Sequence, residues 1–143
     1  MSVEARNTTR AAIFASMYNR RVVATTGPRM LLTYNLDGHP MGSELSLQAY
    51  PKLITRRHLT VHFHGTAPVD RIDFIRNNRV VHATPGNGVM DITLKWADSE
   101  HIDTTWMPAA RHCDHPFTFY YIRVIQTDGE VAWASPVWID PGP

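Results

Sequence analysis

Cysteine is almost absent from this sequence, because Cys113 is the one thiol among 143 residues. A single thiol forms no intrachain disulfide and lacks the paired spacing of zinc ribbons and redox motifs. Long hydrophobic runs are absent too, so neither a membrane-spanning helix nor the apolar segment of a secretion signal is predicted. We therefore expect a soluble chain with no membrane partner. The cytoplasm is slightly favoured for this chain alone, and the location of a longer parent protein stays open.

An excess of charge of either sign is also lacking. The chain has 14 Lys and Arg against 13 Asp and Glu, a formal net charge of +1. A nearly neutral chain has no global field that would attract nucleic acid, so no nucleic-acid partner is expected. The length suits one domain with one hydrophobic core.

Helical periodicity is confined to the N-terminus. A polar cap within 7–9 precedes a segment in which Ile13 and Met17 lie four residues apart with Phe14 beside them, which predicts a helix near 8–20. The β-branched stretch that follows ends at Gly27-Pro28, a pair that favours a turn. We assign 1–28 to a helix-and-strand segment resembling the end of an upstream barrel.

The remainder, 29–143, follows a period of two residues. Asp37-Gly38 and Asn77-Asn78 are hairpin signals between such stretches. We expect 43–48 to pair with the strand before Asp37, and 97–116 to form a long surface loop. Seven or more short strands without a later helix predict a mainly β fold, an antiparallel immunoglobulin-like β-sandwich preceded by one N-terminal α-helix.

Three stretches, in order, carry a resemblance to a known family. They are Arg21-Val22-Val23-Ala24-Thr25-Thr26-Gly27 within 9–30, Met41-Gly42-Ser43-Glu44 followed by 65–77, and Tyr120-Tyr121-Ile122-Arg123-Val124 followed by Ser135-Pro136-Val137-Trp138. Together they resemble the C-terminal β domain of an uncharacterised bacterial family of metal-dependent hydrolases whose N-terminal part is similar to the PHP (polymerase and histidinol phosphatase) phosphoesterases. Val23 departs from this pattern, since an aromatic residue is common there.

The resemblance implies a non-catalytic accessory or interaction domain. The family's His and Asp metal ligands lie upstream of the segment that matches Thr9, so it assigns no catalytic residue, metal ligand or cofactor to this chain. It places a divalent metal in an upstream domain. The expected partner is that hydrolase-like domain or a second copy of the chain, with Ile13, Phe14 and Met17 as the interface.

Histidines give the alternative of a metal-binding hydrolase. His62 and His64 alternate on a predicted strand, so both imidazoles share one face about 7 Å apart. His112, Cys113 and His115 form a second cluster of possible ligands. The commoner interpretation of the first pair is two solvent-facing side chains opposite an apolar face, and that of the second is adventitious binding or none.

Tryptophans give a third alternative, a carbohydrate-binding module. Trp133 and Trp138 differ by five positions, so strict alternation sends them to opposite faces unless Pro136 introduces a bulge. The carboxylates, among them Asp73 and Glu100, and the arginine pairs at 20–21 and 56–57 are interpreted as solvated surface residues.

Overall fold

A computed structural model describes residues 1–109 and 114–142, and it confirms a mainly antiparallel β-sandwich preceded by a single helix. Helix α1 spans Arg10–Tyr18, with Thr9 as its N-cap. Two short 3-10 helices span Pro51–Ile54 and Ile102–Thr104. The strands are β1 Ser2–Val3, β2 Val22–Thr25, β3 Leu31–Leu36, β4 His39–Pro40, β5 Glu44–Ser46, β6 Arg57–His64, β7 Val69–Arg76, β8 Arg79–Pro85, β9 Asp91–Asp98, β10 Thr118–Gln126, β11 Val131–Ala134 and β12 Val137–Asp140.

The strands form a small sheet and a large sheet. The small sheet has the order β4-β3-β6-β9 and is antiparallel throughout. In the large sheet β8, β7 and β10 are consecutive neighbours, and β11 and β12 follow one another along the other edge of β10. Strand β11 then pairs with β2 and β2 with β1, whereas β12 pairs in parallel with β5.

Two predicted hairpins are confirmed at their turns. Asp37 and Gly38 have φ values of 48° and 84°, and Asn77 and Asn78 have φ values of 50° and 64°. Positive φ at both central residues is typical of the two-residue turn that matches the twist of antiparallel strands. Asp, Asn and Gly tolerate this backbone region, which is why these sequence signals are specific.

The predicted pairing of 43–48 with the strand before Asp37 is wrong. The return strand β4 is only two residues long, and Gly42, with φ +86°, turns the chain across to the other sheet. There its N–H donates to the carbonyl of Pro136 at 2.8 Å, and β5 pairs in parallel with β12. A strand of three residues leaves too short a pattern to reveal its neighbour.

A break at Ser135 and Pro136 separates β11 from β12. It resets the alternation, since Ala134 and Val137 are both buried although three positions apart. Trp133 and Trp138 consequently lie on the same outer side of the large sheet, each only partly buried. Of the two arrangements that the sequence allowed, the one with an irregularity at Pro136 is present.

The core lies between the sheets and follows the predicted period of two. On β6, for example, Leu59, Val61 and Phe63 are buried, while His58, His62 and His64 are exposed. The outer surfaces of the two sheets differ in chemistry. The small sheet presents polar side chains apart from Leu31, whereas the large sheet carries a row of nearly parallel rings at Phe117, Phe119 and Tyr121.

The N-terminal segment is joined to the sandwich through the large sheet. Val23 of β2 is 3% exposed and belongs to the core, and β2 pairs with β11 over three residues. Strands β1 and β2 belong to the same sheet as β11. The division of the chain into 1–28 and 29–143 stays a prediction. In the part of the chain that the structure describes, no helix is long and apolar enough to cross a membrane.

Candidate functional site

The outward surface of α1 carries the three predicted interface residues. Ile13, Phe14 and Met17 are 37%, 68% and 46% exposed, and Tyr18 beside them is 77% exposed. The rings of Phe14 and Tyr18 pack against each other with centroids 6.4 Å apart. The nine residues of α1 include a single buried side chain, that of Ser16. An apolar surface of this kind on a helix is normally turned toward a core.

The C-terminal end of α1 is fixed to the sandwich. A Cβ atom added at Gly42 would lie 2.1 Å from the carbonyl oxygen of Asn19, so the two backbones touch where only glycine fits. Arg20 donates to Glu44 at 2.7 Å and to the carbonyl of Gly42 at 3.2 Å. Its guanidinium also lies 5.1 Å from the ring centroid of Trp138. The helix is therefore held in place while its apolar side chains stay exposed.

The predicted pair His62 and His64 lies on the outer side of the small sheet. His62 Nδ1 is 3.0 Å from Thr93 Oγ1, and His64 Nδ1 is 3.1 Å from Asp91 Oδ2. Both partners are cross-strand neighbours on β9. Among residues 1–109 and 114–142, no three His, Cys, Asp or Glu side chains are arranged to share a metal ion. A hydrolase built on these two histidines needs further ligands, because catalytic zinc sites use three protein ligands, and it stays a prediction.

The second predicted metal cluster lies largely outside the described residues, since His112 and Cys113 both do. His115 is described, and its Nε2 lies 3.8 Å from Asp140 Oδ2. The preceding part of the predicted loop contains the 3-10 helix at Ile102–Thr104, whose Ile102 is completely buried. This part of 97–116 is therefore packed against the sandwich instead of lying free on its surface.

The tryptophans considered for carbohydrate binding serve different roles. Trp96 packs against Phe74 and His82, with ring centroids 5.2 and 5.1 Å away. Trp138 lies under the guanidinium of Arg20, which occupies one surface of its ring. Trp133 is opposite Arg123 on β10. Stacking on a sugar ring requires an aromatic ring with an open surface. The carbohydrate-binding module stays a prediction.

A buried charge network lies at one end of the sandwich, and sequence reasoning missed it. Arg57, interpreted as a solvated surface residue, is completely buried and Asp98 is 5% exposed. Arg57 Nε donates to the Tyr120 hydroxyl at 3.0 Å, and that hydroxyl donates to Asp98 Oδ2 at 2.7 Å. Arg57 also donates to the carbonyls of Leu53 and Ile54 at 2.9 and 3.2 Å. These bonds offset the cost of removing two charges from water.

The network continues to the surface through Arg76. Arg76 Nη1 is 2.6 Å from Asp98 Oδ2, and Nη2 is 2.6 Å from Glu100 Oε2. Burial raises the pKa of Asp98, but the Glu100 amide, the Tyr120 hydroxyl and the two arginines outweigh burial and hold that pKa below its ordinary value. Hydrogen bonds from Arg76 and Thr104 lower the pKa of Glu100. Burial is the main cause that raises the pKa of Tyr120.

A sequence signal for this network does exist. Arg57 continues the inward alternation of Leu59, Val61 and Phe63 on β6. Asp98 likewise continues that of Ile92, Leu94 and Trp96 on β9, and the two residues are direct cross-strand partners. Because side chains alternate between the two faces of a strand, both residues are expected to face the core, and the arginine lies opposite the aspartate. Asp73 had no such signal: it lies on the outer side of β7, 1% exposed, paired with Arg71 and Arg123 at 2.9 and 2.7 Å.

A cleft of about 480 Å³ opens beside the network. Its lining includes Arg76 and Arg79 from the β7–β8 hairpin and Trp106 and Met107 from the segment after the 3-10 helix. Asn77 holds these two parts together, because its side chain donates to the carbonyl of Thr105 and accepts from the amide of Phe119. The cleft thus combines two cations and the Glu100 carboxylate with an apolar wall, and small-molecule sites likewise combine a few polar groups with an apolar lining.

Sequence comparison finds relatives in Chlamydia whose names describe them as uncharacterised proteins. The chain is 37% identical over 133 residues to a protein of Chlamydia pneumoniae, 36% over 137 residues to one of Chlamydia muridarum (strain MoPn / Nigg), and 34% over 131 residues to one of Chlamydia trachomatis serovar D. Each match covers 92% of this chain and 21% of the relative. No protein-family model and no solved structure matches the chain. The chain therefore spans about a fifth of the length of the curated relatives it matches.

Proposed function

We propose that this chain is a non-catalytic accessory β-sandwich domain of a larger protein related to PHP-like metal-dependent hydrolases. It docks onto the remainder of that protein through the outward surface of α1. The observation that carries this proposal is the distribution of side chains around α1, whose large apolar residues are exposed instead of packed against the sandwich. The resemblance of 9–30 to the end of a catalytic barrel supports the same assignment of the helix.

The distribution of apolar side chains around α1 is the reverse of that in an ordinary surface helix, which buries its large apolar residues. Ser16 is the buried residue of the helix, and the small side chains of Ala12, Ala15 and Ser16 line a depression together with polar residues that include Arg6 and Asn7. Phe14 and Met17 lie on the other side and are exposed. Complete burial of a side chain of this size stabilises a protein by roughly 1.5–3 kcal/mol. A contiguous patch that forgoes this stabilisation is typical of an interaction surface.

The remainder of the larger protein is the occupant that the comparisons favour. The relatives are about five times as long as the part that this chain matches. Neighbouring domains of one chain bury apolar surface against each other. The helix is fixed at Gly42 and Arg20, so it presents a preformed surface that needs little ordering on docking.

Binding in trans tests the proposal. The C. pneumoniae relative without its matching segment is mixed with this chain, and sedimentation velocity and hydrogen exchange of residues 10–18 are measured. We expect a complex and slower exchange in α1. A double substitution, Phe14→Glu with Met17→Glu, removes the complex but changes the stability of the isolated chain by only about 0.5 kcal/mol, as is usual for exposed sites.

Controls separate the possible occupants of the helix surface. Leu31→Glu changes an apolar residue that is 62% exposed on the small sheet, and it leaves the complex intact. The relative's own matching segment serves as the positive control. A dimer of this chain that Phe14→Glu disrupts identifies a second copy as the occupant instead. Failure of both this chain and the relative's own segment to bind contradicts the proposal.

A further inference from the structure

We propose that the cleft lined by Arg76, Arg79, Trp106 and Met107 binds a small organic anion. The carboxylate or phosphate of the ligand pairs with Arg79, and its apolar part lies against Trp106 and Met107. This site is separate from the α1 surface, and the inference does not depend on the docking proposed above.

The first observation is a pair of like charges at the mouth of the cleft. Arg76 and Arg79 flank the Asn77-Asn78 turn and are direct cross-strand partners. Two arginines in such positions repel each other and destabilise a hairpin. Carboxylates can compensate such charges, and a cation at a concave surface that remains uncompensated attracts a ligand of the opposite charge.

The second observation is that these two arginines have different surroundings. Arg76 is paired with both Asp98 and Glu100 at 2.6 Å. Arg79 is exposed, and within residues 1–109 and 114–142 it has no ion pair or side-chain hydrogen bond. Three guanidinium groups, those of Arg57, Arg76 and Arg79, therefore accompany two carboxylates, and the one that lines the cleft, Glu100, is paired with Arg76. The positive charge left over is at Arg79, on the rim.

The third observation is the rigidity of the opposite wall. The Trp106 Nε1–H donates to Asp103 Oδ1 at 3.2 Å, which fixes the indole. The backbone of Met107 forms a two-way bridge with Phe117, at 2.8 and 3.2 Å. A fixed indole and a methionine give a flat apolar surface, and Met adapts to ligands of different shape. A guanidinium pairs with carboxylate or phosphate through two parallel hydrogen bonds.

Four probes separate the anionic and apolar requirements: phenylacetate against acetate, and phenyl phosphate against inorganic phosphate. Binding to the complete chain is followed by the NMR resonance of the Trp106 indole N–H and by calorimetry. We expect the two aromatic probes to bind with dissociation constants of roughly 1 mM, and acetate and inorganic phosphate to bind at least about tenfold more weakly. The stronger of the aromatic probes shows whether carboxylate or phosphate is preferred.

Substitution of Arg79 decides the proposal. Arg79→Ala weakens both aromatic probes by about tenfold or more, whereas Arg56→Ala, which removes another exposed arginine, leaves binding unchanged. Arg79 lies on the surface, so its variant keeps the fold, which the NMR spectrum checks. Equal affinity of Arg79→Ala and the unchanged chain overturns the proposal. So does the absence of any shift at the Trp106 indole with both aromatic probes at concentrations about ten times the expected dissociation constant.

Discussion

Individual polar residues decide how the end of the sandwich near Arg57 is held together. An arginine in the core is tolerated because its donors meet the Tyr120 hydroxyl, two carbonyls of the first 3-10 helix and Asp98. Within the described residues, no buried side-chain nitrogen or oxygen lacks a hydrogen-bond partner. Removal of one partner from such a network leaves a buried charge unpaired, which costs more than the pair itself contributes.

Asp98 gives the stability of the chain an acid dependence. Its pKa in the folded chain is lower than in the unfolded chain, so its carboxylate stabilises the fold above the unfolded pKa of about 3.9, and this contribution disappears as the pH falls through the folded pKa. We expect Asp98→Asn to lower the free energy of unfolding by about 3 kcal/mol at pH 7. The difference from the unchanged chain shrinks below about pH 4, which urea denaturation at a series of pH values measures.

An exposed aspartate serves as the control for that experiment. Asp70 lies on β7 with its side chain exposed. We expect Asp70→Asn to change the free energy of unfolding by no more than about 0.5 kcal/mol at neutral pH. A loss for Asp98→Asn that is constant from neutral to acid pH, or as small as that of Asp70→Asn, contradicts the assigned role of Asp98.

The elements differ in how far sequence reasoning could reach them. The hairpins at Asp37-Gly38 and Asn77-Asn78 were predictable because turn chemistry and alternation agree there. The course of β5 was not, because a three-residue strand that pairs in parallel with β12 depends on a contact far along the chain. The burial of Arg57 was predictable from the alternation of side chains along β6. It was missed because arginine is ordinarily a solvated surface residue.

Gly42 is one of the contacts that join α1 to the sandwich, and Gly38 provides a matched comparison. Both have positive φ, +86° and +84°, so alanine strains the backbone by about 1–2 kcal/mol at either position. Only at Gly42 does the new Cβ also collide, with Asn19 O at 2.1 Å, whereas nothing lies within 4 Å at Gly38. We expect Gly42→Ala to destabilise the chain by about 1–3 kcal/mol more than Gly38→Ala in urea denaturation.

Hydrogen exchange shows where the effect of Gly42→Ala is located. The amides of α1 exchange faster in this variant, because the end of the helix is displaced from Gly42. The same amides are unchanged in Gly38→Ala, whose turn lies between β3 and β4. Equal losses of stability in the two variants, or unchanged exchange in α1, rule out the contact with Asn19 as the anchor of the helix.

At the scale of the whole molecule, the two candidate sites differ in how far apart their residues lie along the chain. That difference decides which of them a local sequence pattern can reveal. The proposed interface residues Ile13, Phe14 and Met17 lie within one turn and a half of a helix, so local spacing was enough to select them as candidates, and all three side chains are exposed. The anion cleft combines Arg79 with Trp106, residues from separate elements that only the fold brings together. Neither residue belongs to a motif, and no local pattern could have predicted the cleft.

The role of residues 1–28 in the folding of the whole chain gives the last prediction. Their removal uncovers the edge of β11 and takes Val23 out of the core, and an uncovered edge strand pairs readily with other chains. We expect the shortened chain to aggregate or to unfold at lower urea concentration, as light scattering and circular dichroism measure. A chain without residues 1–6 keeps α1 and β2 and loses only the two-residue strand β1, so it stays monomeric with nearly unchanged stability. A monomeric, fully stable chain without residues 1–28 would instead show that 29–143 is an independent domain.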